Sequence, residues 1–407
     1  MSTAGGLRGP FARYWASAFL ADFGDGVRMA AFPLLAVHLT SSPIAVAAVT
    51  AVQGLPWLVF GPGVGALVDR LDLRRVMAVV DVARAVTIGA LAGAVLAGIA
   101  TMPLLYAAAF LTGVGAMARD TAASTAVPRL VDEKDLEAAN GRLQSGTLVG
   151  GELAGPAAGG WLFGVAAALP FALNAGGLTL AVLLLLTLPN VFAPAPGTPD
   201  LSLSLRDVRG DIVAGLRWLW RDLPLRDLSA AVVLVTLADG AFLAILVLYV
   251  TQVLMQPPGV YGLLLGVGAV GGIVAGFGCA PLARRMGPAS TLALTMVLMA
   301  AAQLAIGLTT EVAVAVAALA VSSAAFVTFN VVARTLRQRR SPPDMLGRTN
   351  STYLTIGRTG EATGAILGGV LAATAGVRAP ILAGVLPLLA AGVVISRPFS
   401  RGAHDTE

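Results

Sequence analysis

Four acidic side chains stand where acids are costly. Asp25 lies in "ADFGDGVRMAAF", Glu152 in "GELAGPAAGGWL", Asp239 in "TLADGAFLAIL" and Glu361 in "GEATGAILGGVL". Each is flanked by glycine, alanine and large apolar residues. A carboxylate held away from water either pairs with a cation or takes up a proton. Partners exist for two of the four, Arg28 at i+3 from Asp25 and Arg358 at i−3 from Glu361. Asp81 and Arg84, and the adjoining Arg119 and Asp120, are further candidate pairs. Glu152 has no cation within one turn, so it ranks first as a group that binds and releases protons, with Asp25 next and Glu361 and Asp239 as further candidates.

Proton exchange by such groups is coupling chemistry. A charge crossing 100 mV gains about 2.3 kcal/mol, and one pH unit adds about 1.4 kcal/mol. Together, ~3.7 kcal/mol per proton would support roughly a 500-fold gradient of a neutral solute.

Most other chemistry is excluded by composition. Cys279 is the only cysteine, His38 and His404 are the only histidines, and Lys134 is the only lysine. A thiolate or histidine metal centre therefore has no ligand set. A phosphate-binding loop has no lysine after glycine, and no Gly-x-Ser-x-Gly elbow is present. The expectation is a chain that is not an enzyme and uses no cofactor.

The carboxylates need a frame. Of 407 residues, 57% are hydrophobic and 12% are charged, about half the charge of a soluble domain. Apolar runs of about 20 residues, the length that spans a bilayer, recur twelve times, with centres near 25, 56, 88, 114, 153, 179, 240, 271, 298, 322, 361 and 386. Short connections such as "SSP", "MQPPG" and "MGP" separate them. The N-terminus, the C-terminus and alternate loops hold most of the 27 Lys and Arg, and the intervening loops hold one, Arg378. Cytoplasmic loops retain positive charge, so both termini are expected inside a cell (inner or plasma) membrane. The net charge of +5 follows from that topology and does not mark a nucleic-acid partner.

An internal echo organises the spans. Gly151, Glu152, Gly155, Gly159, Gly160 and Leu162 match Gly360, Glu361, Gly364, Gly368, Gly369 and Leu371. "GDG" around Asp25 is answered by "ADG" around Asp239 at nearly the same offset. The expected architecture is an all-α integral membrane protein of twelve transmembrane helices, in two six-helix halves related by a parallel repeat. The halves cover 1–190 and 227–397. A proline-rich cytoplasmic linker at 191–226 carries an amphipathic helix on the inner leaflet, and a tail covers 398–407. Counted inward at 1.5 Å per residue, the four carboxylates lie about 15 to 18 Å deep, near the middle of a core about 30 Å thick. A charge there costs at least ~2.5 to 3.5 kcal/mol. The i, i+4, i+8 glycines let helices approach closely, and Pro156 is expected to bend its span. Glu152 is expected to share the face of Gly155 and Gly159 and to point at protein or cavity.

Two stretches resemble a known family. "GALVDRLDLRR" resembles the loop signature of the major facilitator superfamily, with Gly65, Asp69, Arg70, Arg74 and Arg75 in place and Asp72 where a second glycine is usual. The resemblance implies a conformational latch made by these five residues, with Asp69 meeting the start of span 11. In the second half, "APLARRMG" keeps only the arginines. Gly151, Gly155, Pro156, Gly159 and Gly160 are similar to the span-5 motif of the drug/proton antiporter branch. "VPRLVDEKDLEAANGRL" and "RQRRSPPDMLGRTNS" resemble macrolide-efflux and enterobactin-exporter proteins.

That resemblance implies proton-coupled efflux of a small amphipathic compound, drug-like or siderophore-like, by alternating access. The small-molecule substrate, protons and the lipid bilayer are the expected partners, and the chain is expected to work as a monomer. By analogy with the fold, Asp25, Arg119, Asp239 and Asn330 approach the substrate. Asp22 and Arg28 lie beside them, and Trp57, Phe329 and Tyr353 are candidate aromatic contacts. Two other readings stand beside this one. The chain could import a polar nutrient, as a coupled importer or a uniporter, or it could be a non-transporting membrane receptor or assembly factor.

Overall fold

Proline and aspartate set where the helices begin. Pro10, Pro43, Pro258 and Pro288 open their helices, where a missing N–H costs nothing because first-turn N–H groups have no intrahelical acceptor. Asp72 caps one helix by accepting from the Arg75 N–H at 3.1 Å, and Asp222 caps another by accepting from the Leu225 N–H at 3.1 Å. Asp72 thus earns its place in the loop where a glycine was expected. Gly287, at φ 80, supplies a single-residue break that a side chain would strain.

The structure, a computed structural model, describes residues 9–68, 71–132, 135–189, 220, 222–340 and 346–401. The linker segment expected to form an amphipathic helix, up to residue 219, lies outside them. The described elements are α1 (Pro10–Leu39), α2 (Pro43–Val68), α3 (Leu73–Leu96), α4 (Met102–Ala126), α5 (Leu136–Gly146), α6 (Gly155–Val165), α7 (Leu169–Leu186), α8 (Leu223–Leu248), α9 (Pro258–Met286), α10 (Pro288–Leu308), α11 (Val312–Arg340), α12 (Leu346–Ala375), α13 (Ala379–Ala383) and α14 (Val385–Arg401). A π-helical stretch, Thr147–Ala154, joins α5 to α6 without a break, and a second, Tyr249–Val253, extends α8. No strand occurs among the described residues.

Among the described residues, nine helices are long and apolar enough to cross a membrane. Three further helical runs, α1, α5 through α6, and α12, carry Asp25, Glu152 and Glu361. Outward faces are as apolar as inner ones: Val79, Val82 and Val86 on α3, and Leu180, Leu183 and Leu186 on α7, are exposed. Such stripes suit lipid and not water.

Contacts divide the chain into two units. The first comprises Met1–Leu39, Leu55–Leu203 and Pro257–Gly266; the second comprises Thr40–Gly54, Ser204–Gln256 and Val267–Glu407. In the first unit α1 packs on α7 and on the α5–α6 run, and α3 packs on α4 and α7. Phe11, Tyr14, Leu73, Met77 and Leu185 anchor one of its apolar cores. In the second unit α8 lies along α12 and α14, and α10 packs on α11 and α14. Leu228, Val232, Met296, Phe329 and Tyr353 are in its core.

Candidate proton and substrate site

Five charged side chains on three helices of the first unit form one buried chain of ion pairs. Arg28 on α1 donates to Asp25 Oδ1 at 3.0 Å and to Thr112 Oγ1 on α4 at 3.3 Å. Arg84 on α3 donates to the same Asp25 oxygen and, at 3.3 Å, to Asp81 Oδ1 one turn earlier. Arg119 on α4 donates to Asp81 Oδ2 and, at 3.2 Å, to the Ser17 carbonyl of α1. Asp81 and Arg84 are almost fully buried. Gly115 makes room, since a methyl there would lie 2.6 Å from the Arg84 stem. The i, i+3 pairs Asp25–Arg28 and Asp81–Arg84 form as the spacing predicts. The cross-helix bonds from Arg84 to Asp25 and from Arg119 to Asp81 have no counterpart in sequence spacing. Arg119 pairs across helices and not with its neighbour Asp120, because consecutive helical residues point about 100° apart.

Beside this network, Asp22 accepts from Thr147 Oγ1 at 2.7 Å, tying α1 to the π-helical stretch. That stretch changes the place of Glu152. Gly155 and Gly159 are buried against α1, whereas Glu152 is exposed. Glu152 was expected to share their face and to point at protein or cavity; its exposure shows that it is not packed into the seam. A π turn holds more residues than an α turn, and the register slips before Pro156.

The glycines form a backbone seam. A methyl on Gly155 would sit 2.7 Å from the Phe23 carbonyl oxygen, and one on Gly159 would sit 3.0 Å from Val27 Cα. Gly151 lies over Asp22, 3.3 Å from its carbonyl on the same measure. Gly160 faces Gly262 at the start of α9, where a methyl on Gly160 would sit 2.9 Å from Gly262 Cα, and Pro156 is buried in the first turn of α6. In the second unit Gly360 meets Thr236 of α8, Gly364 meets Leu237, and a methyl on Gly368 would sit 2.7 Å from the Ala241 carbonyl oxygen.

Along that second seam lie Asp239 and Glu361. Glu361 accepts from Arg358 at 2.9 Å, in a pair with 46% and 32% of the two side chains exposed. Asp239 is half-buried, and its neighbour Gly240 packs against the Glu361 backbone. No cation pairs with Asp239 among the described residues.

The remaining candidates are dispersed. Trp57 is half-buried on α2 in the first unit. Asn330 donates to its own helix at Phe326 O, 3.0 Å away. Phe329 and Tyr353 belong to the second unit's core, where the Arg337 guanidinium lies 3.9 Å from the Tyr353 ring centre; the structure thus uses both aromatics for packing. Of the loop residues, Gly65 falls in the last turn of α2, and Asp69 and Arg70 lie outside the described residues. Arg74 donates to Leu188 O at 2.7 Å, close to where Arg13 donates to Thr187 O at 2.7 Å. Both arginines satisfy carbonyls left over at the end of α7. Arg75 stays beside Asp72, Nε to Oδ2 at 3.8 Å. Arg378 similarly caps Leu308 O and Thr309 O at 3.4 and 3.3 Å.

Charged groups buried inside a helical membrane bundle mark a functional site. The profile of a family described as transmembrane secretion effector matches residues 4–403, and the chain belongs to that family, within the major facilitator superfamily. The multidrug efflux pump Tap of Mycolicibacterium fortuitum is 27% identical over 399 residues, covering 95% of each chain. Tap of Mycobacterium tuberculosis (strain ATCC 25618 / H37Rv) is 26% identical over 413 residues, covering 96% of this chain and 93% of its own. In fold, the nucleoside transporter NupG aligns with a TM-score of 0.76 at 15% identity, covering 98% of this chain and 100% of its own. A bacterial homologue of the iron transporter ferroportin, in an inward-facing state, aligns at 0.73 and 20% identity, covering 95% and 98%. The chain is a multi-pass membrane transporter with an efflux-type relationship.

Proposed function

We propose that the protein is a proton-coupled exporter of small amphipathic compounds, working by alternating access in the cell membrane with both termini in the cytoplasm. On this reading it has twelve spans in two six-helix halves, 1–190 and 227–397. The linker is 191–226 and the tail 398–407. The repeat is supported by the paired seams: Phe23 and Val27 lie under Gly155 and Gly159 as Leu237 and Ala241 lie under Gly364 and Gly368.

The observation that carries the mechanism is the unequal pairing of two matching aspartates. Asp25 is bonded by two arginines, Arg28 and Arg84; Asp239 has no cation paired with it among the described residues. A carboxylate held between guanidiniums keeps its charge, which suits a structural role. One with no cation paired to it is free to take up a proton. Asp239 is therefore the principal proton carrier, with Glu361 coupled to it, and Glu152, exposed on the other seam, is a secondary site. Export to the outside would be driven by protons entering through Asp239. Efflux as the direction is supported by the Tap pumps, similar over nearly the full chain.

The test is transport in proteoliposomes with an imposed pH step, over a panel of antibiotics, dyes and siderophores. The wild type should concentrate at least one compound against its gradient. The Asp239→Asn variant should equilibrate that compound without concentrating it. Uphill transport surviving in Asp239→Asn would rule out this assignment, and movement of no compound under any gradient would favour a receptor.

A further inference from the structure

An apolar groove of about 470 Å³ runs along the second unit between the start of α8 and α12. Its walls are Ala230, Val233 and Leu234 of α8 and Ile356 of α12, with Trp220 and Arg226 at one end. The chemistry is graded along its length. Arg226 lies one turn into α8, with 40% of its side chain exposed and its Nε 3.1 Å from Asp227. Among the described residues its Nη groups have no hydrogen-bond partner. Trp220 is 62% exposed, as an indole at a membrane interface would be. From Arg226 to Leu234 the helix rises about 12 Å, close to the roughly 15 Å depth of one leaflet's hydrocarbon. Ser229, the hydroxyl on this wall, donates to Leu225 O at 2.8 Å and offers the groove little polarity.

A cation at the mouth, an interfacial tryptophan beside it and a dry channel one leaflet deep match a single type of molecule in charge, order and length. We propose that this groove binds one anionic phospholipid of the inner leaflet, its phosphate on Arg226 and an acyl chain along Val233, Leu234 and Ile356. The site would make the second unit sensitive to the acidic lipid content of the membrane, independently of the transported compound. It rests on the reading that α8 begins at the inner face. The corresponding end of the first unit differs: a groove of about 500 Å³ between α1 and α5 has its tryptophan, Trp15, donating to the Arg142 carbonyl at 2.9 Å.

The test uses the full chain in phosphatidylcholine vesicles doped with phosphatidylglycerol brominated along its acyl chain. The Trp220 signal is taken as the difference in fluorescence quenching between wild type and Trp220→Phe. Quenching should saturate, at a mole fraction about fivefold lower than with brominated phosphatidylcholine. Arg226→Gln should raise that fraction about fivefold, the worth of one cation near a charged headgroup. Ala230→Phe, which fills the groove, should remove the saturable phase. Equal quenching by both brominated lipids in proportion to their mole fraction would overturn the proposal. So would Arg226→Gln or Ala230→Phe behaving as wild type. The lipid comparison needs only wild type and the conservative Trp220→Phe variant and stands whether or not Arg226→Gln and Ala230→Phe fold, and in symmetric vesicles it needs neither transport nor a known orientation.

Discussion

In the first unit α1 lies against the α5–α6 run through Gly151, Gly155 and Gly159, and in the second α8 lies against α12 through Gly360, Gly364 and Gly368. The backbone arrangement is shared, yet the charges around it are not. Around α1, Arg28, Arg84 and Arg119 join Asp25 and Asp81 into a continuous chain. Around α8, Asp239 and Glu361 have Arg358 alone as a paired cation among the described residues, and it is on Glu361. In a bilayer, where apolar contact between helices gives little driving force, close glycine packing can hold both pairs. On the proposed reading, the ionic network adds rigidity to one and leaves the other able to change its charge. On the same reading, position in the repeat and chemical role are separable: Asp25 and Asp239 occupy matching places and would perform different work.

Breaking the shared part should have the largest effect. Gly364→Leu and Gly155→Leu drive a branched side chain into the neighbouring backbone, and both should abolish the monodisperse, folded peak in detergent chromatography. Normal yields of either would mean that the seams are looser than described. Next comes the part peculiar to the first unit. Asp81→Ala leaves Arg84 and Arg119 buried without the carboxylate they share, a loss of about 3 to 5 kcal/mol. It should appear as a large drop in thermal midpoint. A midpoint within a degree or two of wild type would contradict a structural role for the network.

The helix cap at Asp72 sharpens the same contrast on a smaller scale. Asp72→Ala should cost about 1 kcal/mol, visible as a small destabilisation with transport retained. Full loss of transport at unchanged stability would instead assign Asp72 to the conformational latch expected of its loop. Smallest of all is the exposed pair of the second unit. Arg358→Gln should shift stability by less than about 1 kcal/mol, since half-exposed ion pairs contribute little. A shift as large as that of Asp81→Ala would remove the distinction between the two units.

Much of this was legible in the chain itself, for definite reasons. Helical spacing fixes which residues share a turn, so Asp25 with Arg28, Asp81 with Arg84 and Arg358 with Glu361 follow from counting. Glycines at i, i+4, i+8 announce a close helix contact. What counting cannot supply is how one helix is rotated against another, and the bonds from Arg84 to Asp25 and Arg119 to Asp81 depend on that rotation. The π-helical stretch leaves no compositional mark, because one added residue per turn needs no special side chain, so the exposure of Glu152 was not foreseen. Phe329 and Tyr353 were candidate contacts by analogy with the fold, and the structure packs both in a core; aromatic type does not distinguish a wall from a core. The shift of emphasis from Glu152 and Asp25 to Asp239 comes from the three-dimensional pairing alone.

The central claim is that Asp239 exchanges a proton while Asp25 stays charged. Infrared difference spectroscopy of the purified full-length chain, between acidic and alkaline buffer, reads the protonated carboxyl stretch directly. The account predicts a band that is lost in Asp239→Asn and kept in Asp25→Asn. A band lost in Asp25→Asn and untouched in Asp239→Asn would contradict it.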